Sequence, residues 1–223
     1  MAEFVFLSDK NRERYLRIIM PLGNFLARLG VHPNVLSFTG LALSAVAGLI
    51  YSTGSFFWGA WIVVLAGTCD ALDGQLARQT EKDSLLGAFF DSTLDRFGEV
   101  FILLGLAWHF SGGAVLLEAG GANTDEFQSP LAVVFIILAI AGSFMVSYTR
   151  ARAEGLGIDC KVGWMQRPER ITLLIIGSLL ASIPVIGPFV MKLTLLLLAV
   201  LSNFTALQRM IYVKNQLLRK THA

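Results

Sequence analysis

Long apolar runs, each closed by a short polar stretch, set the pattern of this chain. The most extended runs from Leu29 to Cys69 without a single Asp, Glu, Lys or Arg. A bilayer core is about 30 Å thick and takes about 20 helical residues to cross. Stretches of that kind predict membrane helices near 35–53, 56–78, 86–110, 130–150, 170–187 and 189–211. The polar stretch Gln79–Ser84 separates the second from the third. Pro184, Gly187 and Pro188 suit a tight turn between the fifth and sixth. Ahead of the first span, Lys10–Leu29 alternates basic and apolar residues, with Leu16, Ile19, Met20, Gly23, Leu26 and Ala27 on one helical face. That face predicts an amphipathic helix lying on the membrane surface; a frayed basic tail is the alternative. The expected architecture is an all-α integral membrane protein of six transmembrane helices. Residues 1–30 form its juxtamembrane segment, 31–215 its membrane domain and 216–223 its tail.

Composition agrees: 55% of the 223 residues are hydrophobic and 15% charged, against about 25% charged in soluble domains, and the mean hydropathy is +0.64. The net charge of +2 matters less than its distribution. Nearly every Lys and Arg falls in the N-terminal segment, the 79–85 turn, the 150–170 loop or the tail. The opposite turns hold none, and the longest carries Glu118, Asp125 and Glu126. Positive loops stay in the cytoplasm, so both termini are expected there and the protein in the plasma membrane. The Gly-rich stretch 111–126 becomes an external loop; it is on the wrong side for a phosphate cradle and lacks GK[ST]. Lys10, Arg12, Arg14, Arg17 and Arg28 interrupt the first thirty residues, which argues against a cleavable signal peptide. Cys69 reads as a small packing residue and Cys160 as part of a polar loop, with no disulfide framework. Trp58, Trp61 and Trp108 fit an interfacial belt.

Into this apolar chain the segment 70–95 delivers Asp70, Asp73, Asp91 and Asp95. Residues three or four apart share a helix face, so the first two belong to one face at the cytoplasmic end of the second span, and the last two to one face of the third. Gly74, Ala77 and Gly87 keep those faces open. The short turn makes the helices antiparallel neighbours, and the four carboxylates can converge. Charge at the edge of hydrocarbon is costly and usually functional. Hard divalent cations are its natural compensation, and two such ions about 3.5–4 Å apart form the clamp used for displacement at phosphorus. Pairing with local bases, Arg78, Lys82 and Arg96, is the simpler account for any single aspartate.

The run Asp70-x2-Asp73-Gly74-x2-Ala77-Arg78-x8-Gly87-x3-Asp91-x3-Asp95 resembles the signature of the CDP-alcohol phosphotransferases. The resemblance implies transfer of a phosphate-linked group from a CDP-activated donor, commonly CDP-diacylglycerol, to an alcohol, with release of CMP. It implies two Mg²⁺ or Mn²⁺ ions held by Asp70, Asp73, Asp91 and Asp95, with Asp95 also the general base on the acceptor hydroxyl. Gly74, Arg78 and Ser84 would contact the donor. "HPNVLSFTG" is similar to the element preceding the first span in that family, so Asn34, Val35, Leu36 and Ser37 would line the nucleotide pocket, Ser37 standing where a threonine is usual. Independently, Asn34 after Pro33 reads as a helix N-cap. Membrane lipids are the surroundings, no nucleic acid is implied, and relatives suggest a homodimer.

"SYTRARAEG" and "QRPERI" frame the 150–170 loop. Pro168 suits the first helical position. Arg150, Arg152, Arg167, Arg170 and Arg209 then gather at the cytoplasmic edge, where a fork of donors suits an anion; positive-inside topology accounts for some of them. These elements look like the phosphatidylinositol phosphate synthase branch, which implies that Arg150, Arg170 and Arg209 hold the phosphate of an acceptor such as inositol phosphate. A glycerol 3-phosphate acceptor, as in phosphatidylglycerophosphate synthases, or an archaeal ether-lipid donor are the alternatives. His32, His109 and His222 have no metal-ligand spacing, and Glu99 is expected to pair with Arg96. A cation transporter would also carry intramembrane carboxylates, but it would place them near the midplane within an internal repeat, and none is found. A non-catalytic scaffold has no use for Asp95.

Overall fold

The computed structural model describes residues 9–79, 84–113 and 128–221. Among them are seven helices: α1 (Asp9–Arg28), α2 (Pro33–Ser52), α3 (Phe56–Gln79), α4 (Leu85–Phe110), α5 (Pro130–Glu154), α6 (Arg167–Ala181) and α7 (Gly187–Thr221). The turn bearing Lys82 and the Gly-rich loop with Glu118, Asp125 and Glu126 lie outside the described residues. Four helices, α2, α3, α5 and α7, are long and apolar enough to cross a membrane. The other two expected spans differ from them. α4 has 26 residues but carries Asp91, Asp95, Arg96 and Glu99 within its first fifteen, and α6 has only 15 residues, about 22 Å of rise.

Local chemistry sets the helix starts. α2 begins at Pro33, and its N-cap is His32, whose Nδ1 accepts the Asn34 N–H at 3.2 Å. This corrects the expectation that Asn34 is the cap. Pro favours the first helical position because it lacks the N–H that would go unpaired there, so the cap falls on the residue before it. Ser84 caps α4 by accepting the Gly87 N–H at 2.9 Å. α6 begins one residue before Pro168, and Gln166 at its cap makes no capping hydrogen bond; its side-chain amide instead donates to the Lys161 carbonyl at 3.5 Å.

α2 packs chiefly on α3 and α4, and α5 on α7. The α2–α4 seam is a contact of backbones. A Cβ on Gly48 would meet the Phe101 carbonyl, and one on Gly105 would meet the Gly48 carbonyl. Small residues at such a seam let two helices approach where no water is available to drive association. Tyr51, Leu106, Ile136, Met191 and Leu195 are fully buried in the main core. There the Tyr51 hydroxyl donates to Ser178 Oγ at 2.8 Å, and Phe56 meets His109 edge-on with ring centroids 5.3 Å apart.

The apolar face of α1 forms as patterned. Leu16, Ile19, Leu26 and Ala27 pack with Leu36, Leu72 and Leu76, although Met20 is 41% exposed. At the other terminus α7 continues beyond the expected limit of 211 to Thr221, because neither Gly nor Pro interrupts Met210–Thr221. Its extra turns take up the loop after α5. Tyr212 and Val213 pack on Ala153, Ile158 and Cys160, and Lys220 Nζ donates to the Gly157 carbonyl at 3.1 Å. Cys160, expected in a polar loop, is therefore fully buried, and burial pushes its thiol pKa up.

Candidate active site: carboxylates of α3 and α4 facing the start of α6

Asp70 and Asp73 share a face of α3, and Asp91 and Asp95 a face of α4. One carboxylate oxygen from each of Asp70, Asp91 and Asp95 lies within 4.8 Å of the others. Oxygen ligands about 2.0–2.6 Å from one hard cation are at most about 4–5 Å apart, so this donor set fits a divalent ion. Asp73 stands outside that trio. It is buried, and its Oδ2 accepts the Ser37 hydroxyl at 2.6 Å.

The base that meets the cluster is Arg167, the first residue of α6. Its two terminal nitrogens donate to Asp70 Oδ2 at 2.5 Å and Asp95 Oδ1 at 2.7 Å. It thereby ties together carboxylates from two helices, while its Nε is buried without a hydrogen-bond partner. The sequence reading placed Arg167 at the membrane edge but gave it no role at the aspartates. The available signal was its spacing: three residues before Arg170, on one face of the first turn of α6. The bases expected nearest are placed differently. Arg78 is exposed, with its guanidinium 3.6 Å from where a Gly74 Cβ would stand. Arg96 is 3.7 Å from Asp95 Oδ2 and donates to the Ser92 carbonyl.

Glu99 lies one turn beyond Asp95 on the same face, and its expected pairing with Arg96 is corrected. It accepts Arg170 Nε at 2.8 Å and a terminal nitrogen of Arg170 at 3.0 Å, with the Ser143 hydroxyl at 2.8 Å. Arg96 is spent on its own helix, one turn back. Arg170 is only 4% exposed and also donates to the Met165 carbonyl. Arg209 is equally buried and donates to the Val162 and Val146 carbonyls. Arg150 is exposed and pairs with Glu154 at 2.8 Å. α4, α5 and the loop before α6 thus engage the three guanidiniums unequally.

Of the residues at the start of α2, Ser37 reaches Asp73, and Asn34 Oδ1 comes within 3.7 Å of where a Gly87 Cβ would stand. Leu36 is buried against α1 and α3, while Val35 is 55% exposed. Ser84 Oγ is occupied as the cap of α4. A cavity opens beside the carboxylates. Asp70, Asp91, Asp95, Glu99, Arg167 and Arg170 form its polar wall, and Leu41, Val63, Ile102, Leu103, Leu174 and Leu198 lie along its apolar side. It can receive an anion and an alcohol against paired carboxylates and guanidiniums, with an apolar continuation beside them.

Residues 30–205 match the family described as CDP-alcohol phosphatidyltransferase. The chain is 36% identical to archaetidylinositol phosphate synthase of Methanothermobacter thermautotrophicus, over 90% of this chain and 91% of that one. It is 30% identical to phosphatidylinositol phosphate synthase of Mycolicibacterium smegmatis, over 89% of this chain and 84% of that one. Among solved structures it resembles Mycobacterium tuberculosis phosphatidylinositol phosphate synthase with CDP-DAG bound. The TM-score is 0.75 and the identity 29%, over 88% of this chain and 94% of that one. The same enzyme in complex with manganese and citrate superimposes with a TM-score of 0.74 at 28% identity, over 86% of this chain and 87% of that one.

Proposed function

This chain belongs to the CDP-alcohol phosphatidyltransferase family, and from that premise we propose that it transfers a phosphatidyl group from CDP-diacylglycerol to inositol phosphate, giving phosphatidylinositol phosphate and CMP. The observation that carries the reading is the convergence of Asp70, Asp91 and Asp95 within 4.8 Å at the family's motif, facing a cavity that also holds Arg170. The similarity to an archaetidylinositol phosphate synthase and a phosphatidylinositol phosphate synthase supports this acceptor.

In this reading Asp70, Asp73, Asp91 and Asp95 hold two Mg²⁺ or Mn²⁺ ions. When bound, the ions neutralise the pyrophosphate and polarise the attacked phosphorus. Asp95 takes the proton of the acceptor hydroxyl on a carboxylate oxygen. Ser37 fixes the Asp73 carboxylate by donating to it. Gly74 leaves room beside the α3 backbone, and Arg78, lying over it, contacts the nucleotide with Asn34, Val35, Leu36 and Ser84 around it. Arg150, Arg170 and Arg209 hold the acceptor phosphate. The apolar side of the cavity keeps the lipid-linked phosphorus out of bulk water.

The setting follows from the same premise. Six helices, α2–α7, span the plasma membrane, and α1 lies on its cytoplasmic surface. Both termini and the site face the cytoplasm, where a soluble acceptor and a lipid donor can meet. The chain works as a homodimer of 31–215 domains with 1–30 and 216–223 flanking. An archaetidyl donor is a second reading, favoured by the 36% identity to the archaetidylinositol phosphate synthase. A panel of inositol phosphate, glycerol 3-phosphate, inositol, serine and glycerol, each with CDP-diacylglycerol or CDP-archaeol and Mg²⁺, tests both substrates. Turnover with glycerol 3-phosphate but not inositol phosphate would refute the acceptor.

A further inference from the structure

We propose that Arg167 is the resident counter-cation of the carboxylate cluster, exchanged for the divalent ion when metal enters. The inference rests on the metal-site reading given above. Arg167 bridges Asp70 of α3 and Asp95 of α4 through two separate nitrogens. The oxygens it takes belong to residues whose carboxylates converge within 4.8 Å. Without a cation, carboxylates so close repel one another, and a fork of two N–H donors satisfies both at once. A guanidinium and a metal ion cannot occupy the same space between these side chains, so entry of one requires withdrawal of the other.

Arg167 is built to withdraw where its neighbours are not. Arg170 is held by Glu99 at two nitrogens and donates with its third to the Met165 carbonyl. Arg96 donates to the Ser92 carbonyl of its own helix and stands 3.7 Å from Asp95. Arg167 has its two carboxylate contacts and a buried Nε with no hydrogen-bond partner. It starts α6, so its side chain can swing into the cavity it lines without disturbing the helix behind it. Arg167 is therefore a positioning residue: it keeps the ligands of α3 and α4 converged before the metal arrives and lowers apparent metal affinity by competing for them.

The test is Mn²⁺ binding without substrate. The full chain in phosphatidylcholine nanodiscs is titrated, and free ion is read from its electron paramagnetic resonance signal. Removing a charge-assisted competitor changes affinity by about tenfold or more, so Arg167→Gln should bind Mn²⁺ at least about tenfold more tightly than the unaltered protein. Arg167→Lys keeps the charge but cannot fork across both carboxylates, so it should fall between the two. Unchanged or weaker binding by Arg167→Gln overturns the proposal. If that variant does not fold, binding by Arg167→Lys no tighter than wild type overturns it equally. Asp70→Asn separates the two layers of inference. Weakened binding there with no tightening in the Arg167 variants removes only the exchange, whereas unchanged binding in Asp70→Asn removes the metal-site reading and the exchange with it.

Discussion

The two halves of α4 teach different lessons about one helix. Its first half, together with Glu99 just past the midpoint, lines an open cavity with Asp91, Asp95 and Glu99, where Asp95 and Glu99 are met by arginines from the start of α6. Its second half buries Gly105, Leu106 and His109 in close packing, with Gly105 against the Gly48 carbonyl. The first half depends on charge and position, the second on volume. A substitution in one should therefore fail differently from a substitution in the other.

The largest effect is expected from removing metal. Without divalent ions the carboxylates of the first half would repel the donor's pyrophosphate, so EDTA should abolish turnover and Mg²⁺ or Mn²⁺ restore it. Ca²⁺ should restore it poorly, because its longer and looser coordination misplaces the ligands. Full activity in EDTA would break the comparison at its root.

Next comes Asp95→Asn. Loss of a general base typically costs about 10²–10⁴-fold, so kcat should fall by that range while CDP-lipid binding in the presence of metal persists. Near-normal turnover would remove the proposed role.

A smaller effect is expected from Glu99→Gln, which loosens Arg170 without emptying the space. A lost charge-assisted hydrogen bond costs about 1.5–3 kcal/mol, roughly one to two powers of ten in affinity. The KM for inositol phosphate should rise by that much, the KM for CDP-diacylglycerol should hardly move, and Glu99→Asp should recover part of the loss. Equal changes in both constants would mean that Glu99 supports the fold rather than the acceptor site.

The smallest effect on activity belongs to the second half. Gly105→Ala adds one methyl group against the Gly48 carbonyl. Overpacking of this kind costs about 1–3 kcal/mol, so the melting temperature should fall while kcat per folded molecule stays the same. A lost kcat with unchanged melting would blur the division between the halves.

How much of this was legible in the sequence follows the range of the interactions. Asp70 with Asp73, and Asp91 with Asp95, read directly from helical spacing, and a short turn brings the two pairs together. The helix starts at Pro130 and beside Ser84 were legible, but the span expected over 170–187 runs from Arg167 to Ala181 and stops short of Pro184. Limits also slipped where a helix had no stop signal, as at the end of α7, or where Pro33 moved the cap back to His32. Side-chain partners across the bundle were not legible. Arg96 is near Glu99 in sequence, yet Glu99 is taken by Arg170, far along the chain. Arg167 on Asp70 is likewise a product of α6 docking against α3, which no local periodicity encodes. Cys160 was read as part of a polar loop, and its burial against Ala153, Ile158, Tyr212 and Val213 depends in part on the extension of α7.

The most direct test of the central claim is the product balance of the purified chain in nanodiscs, given CDP-diacylglycerol, inositol phosphate and Mg²⁺. CMP and phosphatidylinositol phosphate should appear in equal amounts, identified by mass spectrometry, and neither should form when inositol phosphate is left out. CMP released at the same rate without an acceptor, or no new lipid when inositol phosphate is present, would contradict the account.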